Sequence, residues 1–183
     1  MKLNTDINKV LLINPPWYRL FGEESPYSPI GLCYIGGVLE KHGFDVTIYN
    51  ADFNNGGEFM SDVKRTENYL KYLHNLKDIN HPIWKEIETT ISKQSPDIVG
   101  ISVTTAKYGS ALNVSKLVKK LNPKIPVVWG GVHPTILPEE TGINKDVDII
   151  VRGEGDYTFL DLIENIERLD KVLGITYNPS SPE

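Results

Sequence analysis

Short apolar runs recur along the chain, most of them closed by glycine or asparagine: KVLLIN (Lys9 to Asn14), DVTIYN (Asp45 to Asn50), DIVGISV (Asp97 to Val103), PVVWGG (Pro126 to Gly131) and VDIIVRG (Val147 to Gly153). Runs this short and this apolar predict strands covered on both faces, as in a parallel sheet. Between them the period changes to three and four. Pro29 suits the first turn of a helix reaching Lys41 and closed by Gly43. The polar stretch 54–94 carries two helical spacings, Tyr69, Leu73, Leu76 and then Trp84, Ile87, Ile91, separated by a break at His81-Pro82. Ala111, Val114, Val118 and Leu121 mark the inner face of a further helix, and Phe159, Leu162, Ile166 and Leu169 that of a last one. GITYN (Gly174 to Asn178) reads as a short edge strand.

Strands alternating with helices imply an α/β fold, since right-handed crossovers force the strands parallel. Five core strands favour a flavodoxin-like (Rossmann-like) doubly wound sheet of order 2-1-3-4-5, with a helical insertion at about 54–94 between strands 2 and 3. One domain is expected over 1–178, with 179–183 as a tail or the start of a linker.

Composition narrows the function. The chain of 183 residues is 40% hydrophobic and carries a net charge of -5, with its basic residues scattered, which argues against nucleic acid as a partner. The longest apolar stretch is broken by glycines, and the N-terminus lacks the apolar centre of a secretion signal. No membrane partner and a cytoplasmic location are therefore expected. The one cysteine, Cys33, excludes an internal disulfide, and its apolar helical context predicts a core residue.

In doubly wound sheets ligands bind beyond the carboxyl ends of the strands. The loops there read NPPWYRLFGEESPYSP, SVTTAKYGS, GGVHPT and RGEGDYT, all rich in glycine, proline and small hydroxyl residues. The fifteen residues from Pro15 to Pro29 exceed what a connection needs. Neither G-x-G-x-x-G after the first strand nor a P-loop is present, and Asp52 alone is no metal site. Gly130-Gly131 fits either a tight turn or a ligand cradle. Gly36 and Gly37, costly inside a helix by about 1 kcal/mol each, require close approach of the sheet or of a ligand.

Taken in order, VLLINPP, YSPIGLCYIGGVLEKHGFDVTIYNAD, PDIVGISVTT, VVWGGVHPTILPEE and VDIIVRGEGDYTFLDLI resemble the N-terminal cobalamin-binding domain of B12-dependent radical SAM enzymes, over roughly Lys9 to Leu169. The resemblance implies cobalamin as cofactor, its corrin lying across the carboxyl edge of the sheet and its nucleotide base, detached from cobalt, inserted between sheet and helices. Gly130 and Gly131 would then floor a slot without side chains, and leucine at Gly131 is expected to close it. Ser102 and Thr104 match the family's hydroxyl-bearing third strand. The resemblance draws the cofactor-binding set from the loops: Pro15, Pro16, Trp17, Tyr18, Tyr27, Ser28 and Gly31; Ser102, Val103, Thr104 and Thr105; Gly130, Gly131, Val132, His133 and Pro134; and Gly153, Glu154 and Gly155.

Carrier domains of methionine synthase and the mutases place Asp-x-His-x-x-Gly after strand 1, whose histidine ligates cobalt. The loop here contains no histidine. The expectation is cobalamin without a protein ligand, with Trp17, Tyr18 or Leu20 near its lower face. His133, the one histidine in a ligand-facing loop, is expected to hydrogen-bond a corrin amide or a backbone carbonyl, with Pro134 fixing the chain that leaves it. His42 reads as a partner of the first helix's C-terminus, and His74 and His81 as surface. Glu154 suits either corrin amides or the cap of the last helix.

Radical SAM chemistry needs three cysteines to hold a [4Fe-4S] cluster that cleaves S-adenosylmethionine, and this chain has one. The expected partner is therefore a radical SAM catalytic domain, in cis or in trans, and this chain is not catalytic alone. A stand-alone corrinoid carrier or sensor, and a flavodoxin-like module for a flavin, a nucleotide or a protein, stay open as alternatives.

Overall fold

Lys9–Asn14 forms β1, whose residues after Lys9 are all buried, and it pairs in parallel with β2 (Asp45–Asn50) on one side and β3 (Ile98–Ser102) on the other. The structure, a computed structural model describing residues 4–23, 25, 27–53 and 59–177, continues the sheet through β4 (Val127–Gly130), β5 (Ile149–Val151) and β6 (Ile175–Tyr177). The order is β2-β1-β3-β4-β5-β6, parallel except for the last pair. The expected 2-1-3-4-5 core is thus present, and GITYN adds a sixth, antiparallel strand at the edge. The expected tail at 179–183 lies outside the described residues.

Helices cover both faces. On one side lie α5 (Pro82–Gln94) and α6 (Tyr108–Leu121), which bury Trp84, Ile87 and Ile91, and Ala111, Val114 and Val118, against Leu11, Ile13, Val99, Ile101 and Trp129. The two fully buried tryptophans on this side each have a partner for the indole nitrogen, Trp84 Nε1 donating to Asn75 O (3.1 Å) and Trp129 Nε1 to Ser115 Oγ (2.9 Å). Burying large aromatics without orphaning their N–H is what makes this face dense. On the other side α2 (Ile30–Lys41) and α9 (Asp156–Glu164) pack on Val10, Leu12, Ile98, Val128, Ile149 and Val151.

The insertion contains three helices, α3 (Asp62–Glu67), α4 (Tyr69–Lys77) and α5, where two were expected. The break at His81-Pro82 is present, and His81 caps α5 by accepting from Ile83 N at 3.4 Å, so it is half-buried rather than surface. The extra interruption falls at Asn68, the shared cap of α3 and α4. The buried residue of α4 is Tyr72, stacked on Phe21, while Tyr69 stays exposed. In α2 the expectations for Cys33 and Gly37 need correction, while that for Gly36 holds. Cys33 is exposed, not core. Gly36 meets Ile48 and Val46 of β2, where an added Cβ would come within 3.0 Å, so it serves helix-on-sheet packing; nothing lies near Gly37. His42 closes the helix as expected, with Nδ1 2.8 Å from Val38 O.

Candidate functional site

Strand register decides what faces α2 and α9. Leu12 pairs with Gly100 and Gly100 with Val128; two residues on, Ser102 pairs with Gly130. Because side chains alternate in a strand, Gly100, Ser102 and Gly130 fall on the same face, toward its carboxyl end. The space over Gly100 is taken by Leu12 and Phe159, while Ser102 and Gly130, with little or no side chain, leave a gap between sheet and helices. It is a cavity of about 170 Å³, closed by Gly31, Leu32 and Ile35 of α2 and by Glu154, Gly155, Asp156 and Phe159 at and within α9.

The glycines around it do different jobs. An added Cβ at Gly130 would find nothing closer than 3.8 Å, so the space above this residue is cavity. Gly131 has φ +108° and its added Cβ would lie 2.8 Å from Val103 O. It is the strand-to-helix turn itself, leading into α7 (Val132–Ile136). Gly155 lets Ile35 approach to where a Cβ would sit at 3.1 Å, which brings the two helices together over the gap. Gly100, which sequence reasoning passed over, is pressed by Leu12 (2.8 Å) and the Phe159 ring (3.0 Å). A glycine inside a strand was the available signal.

Of the expected residues, Gly31, Ser102, Gly130, Gly131, Gly153, Glu154 and Gly155 line the cavity. The others do not line it: Tyr27, Ser28, Thr104, Thr105 and Val132 are exposed, Trp17 and Tyr18 half-buried, and Pro15, Pro16, Val103 and Pro134 buried, with Val103 in the core cluster on the α5 side and Trp17 packed against it. Two expectations need correction. Leu20 is fully buried in the core on the α5 side and cannot face a ligand. His133 is 4% exposed and turned toward α6, its Nδ1 3.3 Å from Thr105 Oγ1 and its ring 4.7 Å from that of Tyr108; its Nε2 is buried with no partner among the described residues. Glu154 does not cap α9, whose N-cap is Gly155 with no side-chain cap bond, so its exposed carboxylate stands at the cavity mouth.

The long loop after β1 is held rigid from below. Asp52, fully buried, accepts from Trp17 N (2.8 Å) and Arg19 N (3.2 Å), and its other oxygen sits 3.1 Å from Lys107 Nζ without hydrogen-bond alignment. Lys107 also donates to Asn14 Oδ1 (2.7 Å), and Asn14 donates to Asn50 Oδ1 (2.7 Å). Neutralising a buried carboxylate in this way is what permits it to stay buried. A second clamp comes from the insertion: Arg65 donates through Nε and Nη2 to fully buried Glu23, both at 2.8 Å, and its guanidinium lies 5.4 Å from the Trp17 and Tyr18 ring centroids. Burial, followed by Tyr27, pushes the Tyr18 phenol above its ordinary value.

A wider cleft of about 900 Å³ lies at the amino end of the sheet, between Asn4–Asp6 and Leu121–Ile125. Its most buried acid, Asp97, is already occupied by Asn8 N and Lys9 N at 3.0 and 2.8 Å. The smaller cavity is the better site because it lies at the carboxyl edge, where such sheets bind ligands, and is cradled by glycine. No helix among the described residues is long and apolar enough to cross a membrane.

Comparison with known proteins shows the family. The chain is 31% identical over 180 residues to the uncharacterized methyltransferase PH0819 of Pyrococcus horikoshii, covering 93% of this chain and 33% of that protein. It is likewise 31% identical over 175 residues to cytidylyl-2-hydroxyethylphosphonate methyltransferase of Streptomyces wedmorensis, covering 92% and 31%. The chain thus spans about a third of the length of these curated relatives. Among solved structures, the radical S-adenosylmethionine methyltransferase TsrM of Kitasatospora setae superposes with a TM-score of 0.67 at 20% identity, over 94% of this chain and 29% of that one. The cobalamin-dependent S-adenosylmethionine radical enzyme OxsB, with aqua-cobalamin and S-adenosylmethionine bound, gives 0.67 at 21% identity, over 98% and 22%. At these identities the structural likeness shows the fold. The model of the B12 binding domain matches residues 24–163, most of the chain, and so this protein belongs to the B12-binding domain family.

Proposed function

We propose that this chain holds cobalamin with its nucleotide base released from cobalt and seated in the glycine-lined cavity, as the B12-binding part of a methyltransferase-type radical SAM enzyme. The observation that carries the reading is Gly130: an added Cβ there would meet nothing within 3.8 Å, on the face and at the sheet edge where the tail of a large ligand must enter. A gap of about 170 Å³ is smaller than a complete small-molecule site, which runs to about 300–1,000 Å³. It suits one flat part of a ligand whose bulk stays outside.

The chain's own groups fit those roles. Ser102 lines the cavity and its hydroxyl is engaged by nothing among the described residues, which leaves it for a polar atom of the tail. Trp17 and Tyr18, fixed by Asp52 and Arg65, would lie beneath the corrin, and Thr104, Thr105 and Glu154 beside its amides. No histidine is positioned to ligate cobalt from the loop after β1, which contains none. Cobalamin, when bound, supplies methyl transfer at cobalt; the protein positions it and keeps its lower side dry. Three thiolates for an iron-sulfur cluster would have to come from a partner domain, in cis or in trans, since Cys33 is the chain's one cysteine.

The test is to mix the purified chain with hydroxocobalamin, gel-filter it and record the visible spectrum. Corrinoid is expected to co-elute in about equimolar amount, with a spectrum that shows neither base nor histidine nitrogen on cobalt and that survives replacement of each of the four histidines. Colourless protein, or a spectrum lost with one histidine, would overturn the reading.

A further inference from the structure

The cavity changes character with depth. At its rim stand the side chains that can hydrogen-bond, Ser102, Glu154 and Asp156. Two residues deeper along the strands, about 7 Å, the boundary is Leu12, Gly100 and the Phe159 ring, with Leu32 and Ile35 from the helix above. The helices run the same way: α9 begins at Asp156 beside the rim, so Phe159 is one turn further in, and α2 goes from Gly31 inward to Ile35. None of these inner side chains donates or accepts. The strand backbones at that depth are engaged in the ladder, where Gly100 is paired with Leu12 on one side and Val128 on the other. Gly100 exists at this level to admit Phe159, whose ring comes to 3.0 Å from where a Cβ would be, so the end of the slot is a fixed aromatic wall.

We infer that this apolar end wall makes the site selective for the tail base of a corrinoid, favouring a benzimidazole over a purine. The inference rests on the proposed seating of the tail in this cavity. The base is joined to ribose through its five-membered ring, so the six-membered ring leads inward. In dimethylbenzimidazole the leading ring carries only carbon and methyl groups. Its nitrogens stay near the rim, where the Ser102 hydroxyl meets the one that is free. In adenine the leading ring carries two ring nitrogens and an amino group. Against Leu12, Leu32 and Phe159 these would be buried without partners, and an unpaired buried polar group is expensive where an apolar one is not.

The experiment is a titration of the purified chain, followed by absorbance and by retention through gel filtration, with three corrinoids: hydroxocobalamin, its adenine-tailed counterpart, and tailless cobinamide. Cobalamin should bind at least about tenfold more tightly than the adenine form, the effect of leaving one buried group unpaired, and more tightly than cobinamide. Ile35→Gln, at a half-buried position that tolerates a polar group, should narrow the gap between the two tailed forms by supplying a partner. Equal affinity for both tailed forms overturns the end-wall inference and leaves the seating intact. Cobinamide binding as well as cobalamin overturns the seating and this inference with it. Failure to retain any corrinoid overturns the proposed function itself.

Discussion

Leucine at Gly130 separates a ligand cavity from a mere packing defect. Gly130 has an ordinary backbone conformation, and its added Cβ would sit 3.8 and 3.9 Å from Val151 O and Cβ, normal van der Waals contact, so the fold accepts a side chain there. The four carbons of leucine would project from the sheet floor into a gap of only about 170 Å³, in the space a bicyclic base would need. Cobalamin affinity should fall on the order of 100-fold, about 2.7 kcal/mol. The unliganded variant should be at least as stable as the parent, because burying a leucine contributes up to about 1.5–3 kcal/mol. At about 2–4 °C per kcal/mol for a chain of this size, calorimetry would register a rise. Absorbance titration and calorimetry on the same preparation are both required. A folded Gly130→Leu protein that binds cobalamin like the parent refutes the reasoning, and so does affinity loss accompanied by an equal loss of stability.

Other consequences are smaller in scope. Gly131→Ala should destabilise by about 1–3 kcal/mol, since φ +108° and a 2.8 Å approach to Val103 O both penalise a Cβ, while Gly130→Ala should cost almost nothing; equal effects in chemical denaturation would contradict the division of roles. The leucine substitution at Gly131 that the sequence recommends would therefore strain the turn as well as fill space. Arg65→Met should cost about 3–5 kcal/mol by leaving Glu23, 0% exposed, without a counter-charge, and adding Glu23→Gln should recover much of it; a neutral single substitution by urea titration would show the clamp to be idle. The Arg19 hydrogen bond, with a further contribution from Tyr49, holds the Glu86 carboxyl below its ordinary value of 4.5. Its stabilisation is thus fully present above that value and is lost as pH falls through the lower folded one. With Glu86 45% exposed the effect is under about 1 kcal/mol. Wild type and Glu86→Gln should converge in thermal midpoint on acidification, and a gap independent of pH would count against the pair.

The sheet was legible from its short apolar runs: KVLLIN, buried after Lys9, and DVTIYN, an edge strand only partly covered, match β1 and β2 to the residue. Long helices with a clear inner face, α5 and α6, were legible from their period, and α2 from Pro29 at its start and Gly43 after its end. Short helices were not. Tyr18–Phe21, Val132–Ile136 and Pro138–Gly142 are too brief to show a period, and are set by turns and prolines instead. The site was legible as a set of loops at one sheet edge, yet the floor of the cavity was not. Gly100 looks like any glycine until register puts it beside Leu12 and below Phe159. His133 misled because a histidine after Gly-Gly at a carboxyl edge has two directions available, and only the packing of Tyr108 against it selects the inner one. Cys33 misled because the apolar stretch around it is apolar all round, so that composition does not reveal which side is covered.

The two sides of the sheet are unequally furnished, one carrying Trp84 and Trp129 packed to completion and the other an unfilled notch. A cofactor tail lodged in that notch would act as a borrowed core side chain, and the protein would finish its own interior only in company. Its resistance to heat and to proteases would then track how much vitamin the cell supplies, climbing by RT ln(1 + [L]/Kd), so that starvation for the vitamin would thin out the protein itself as well as silence it.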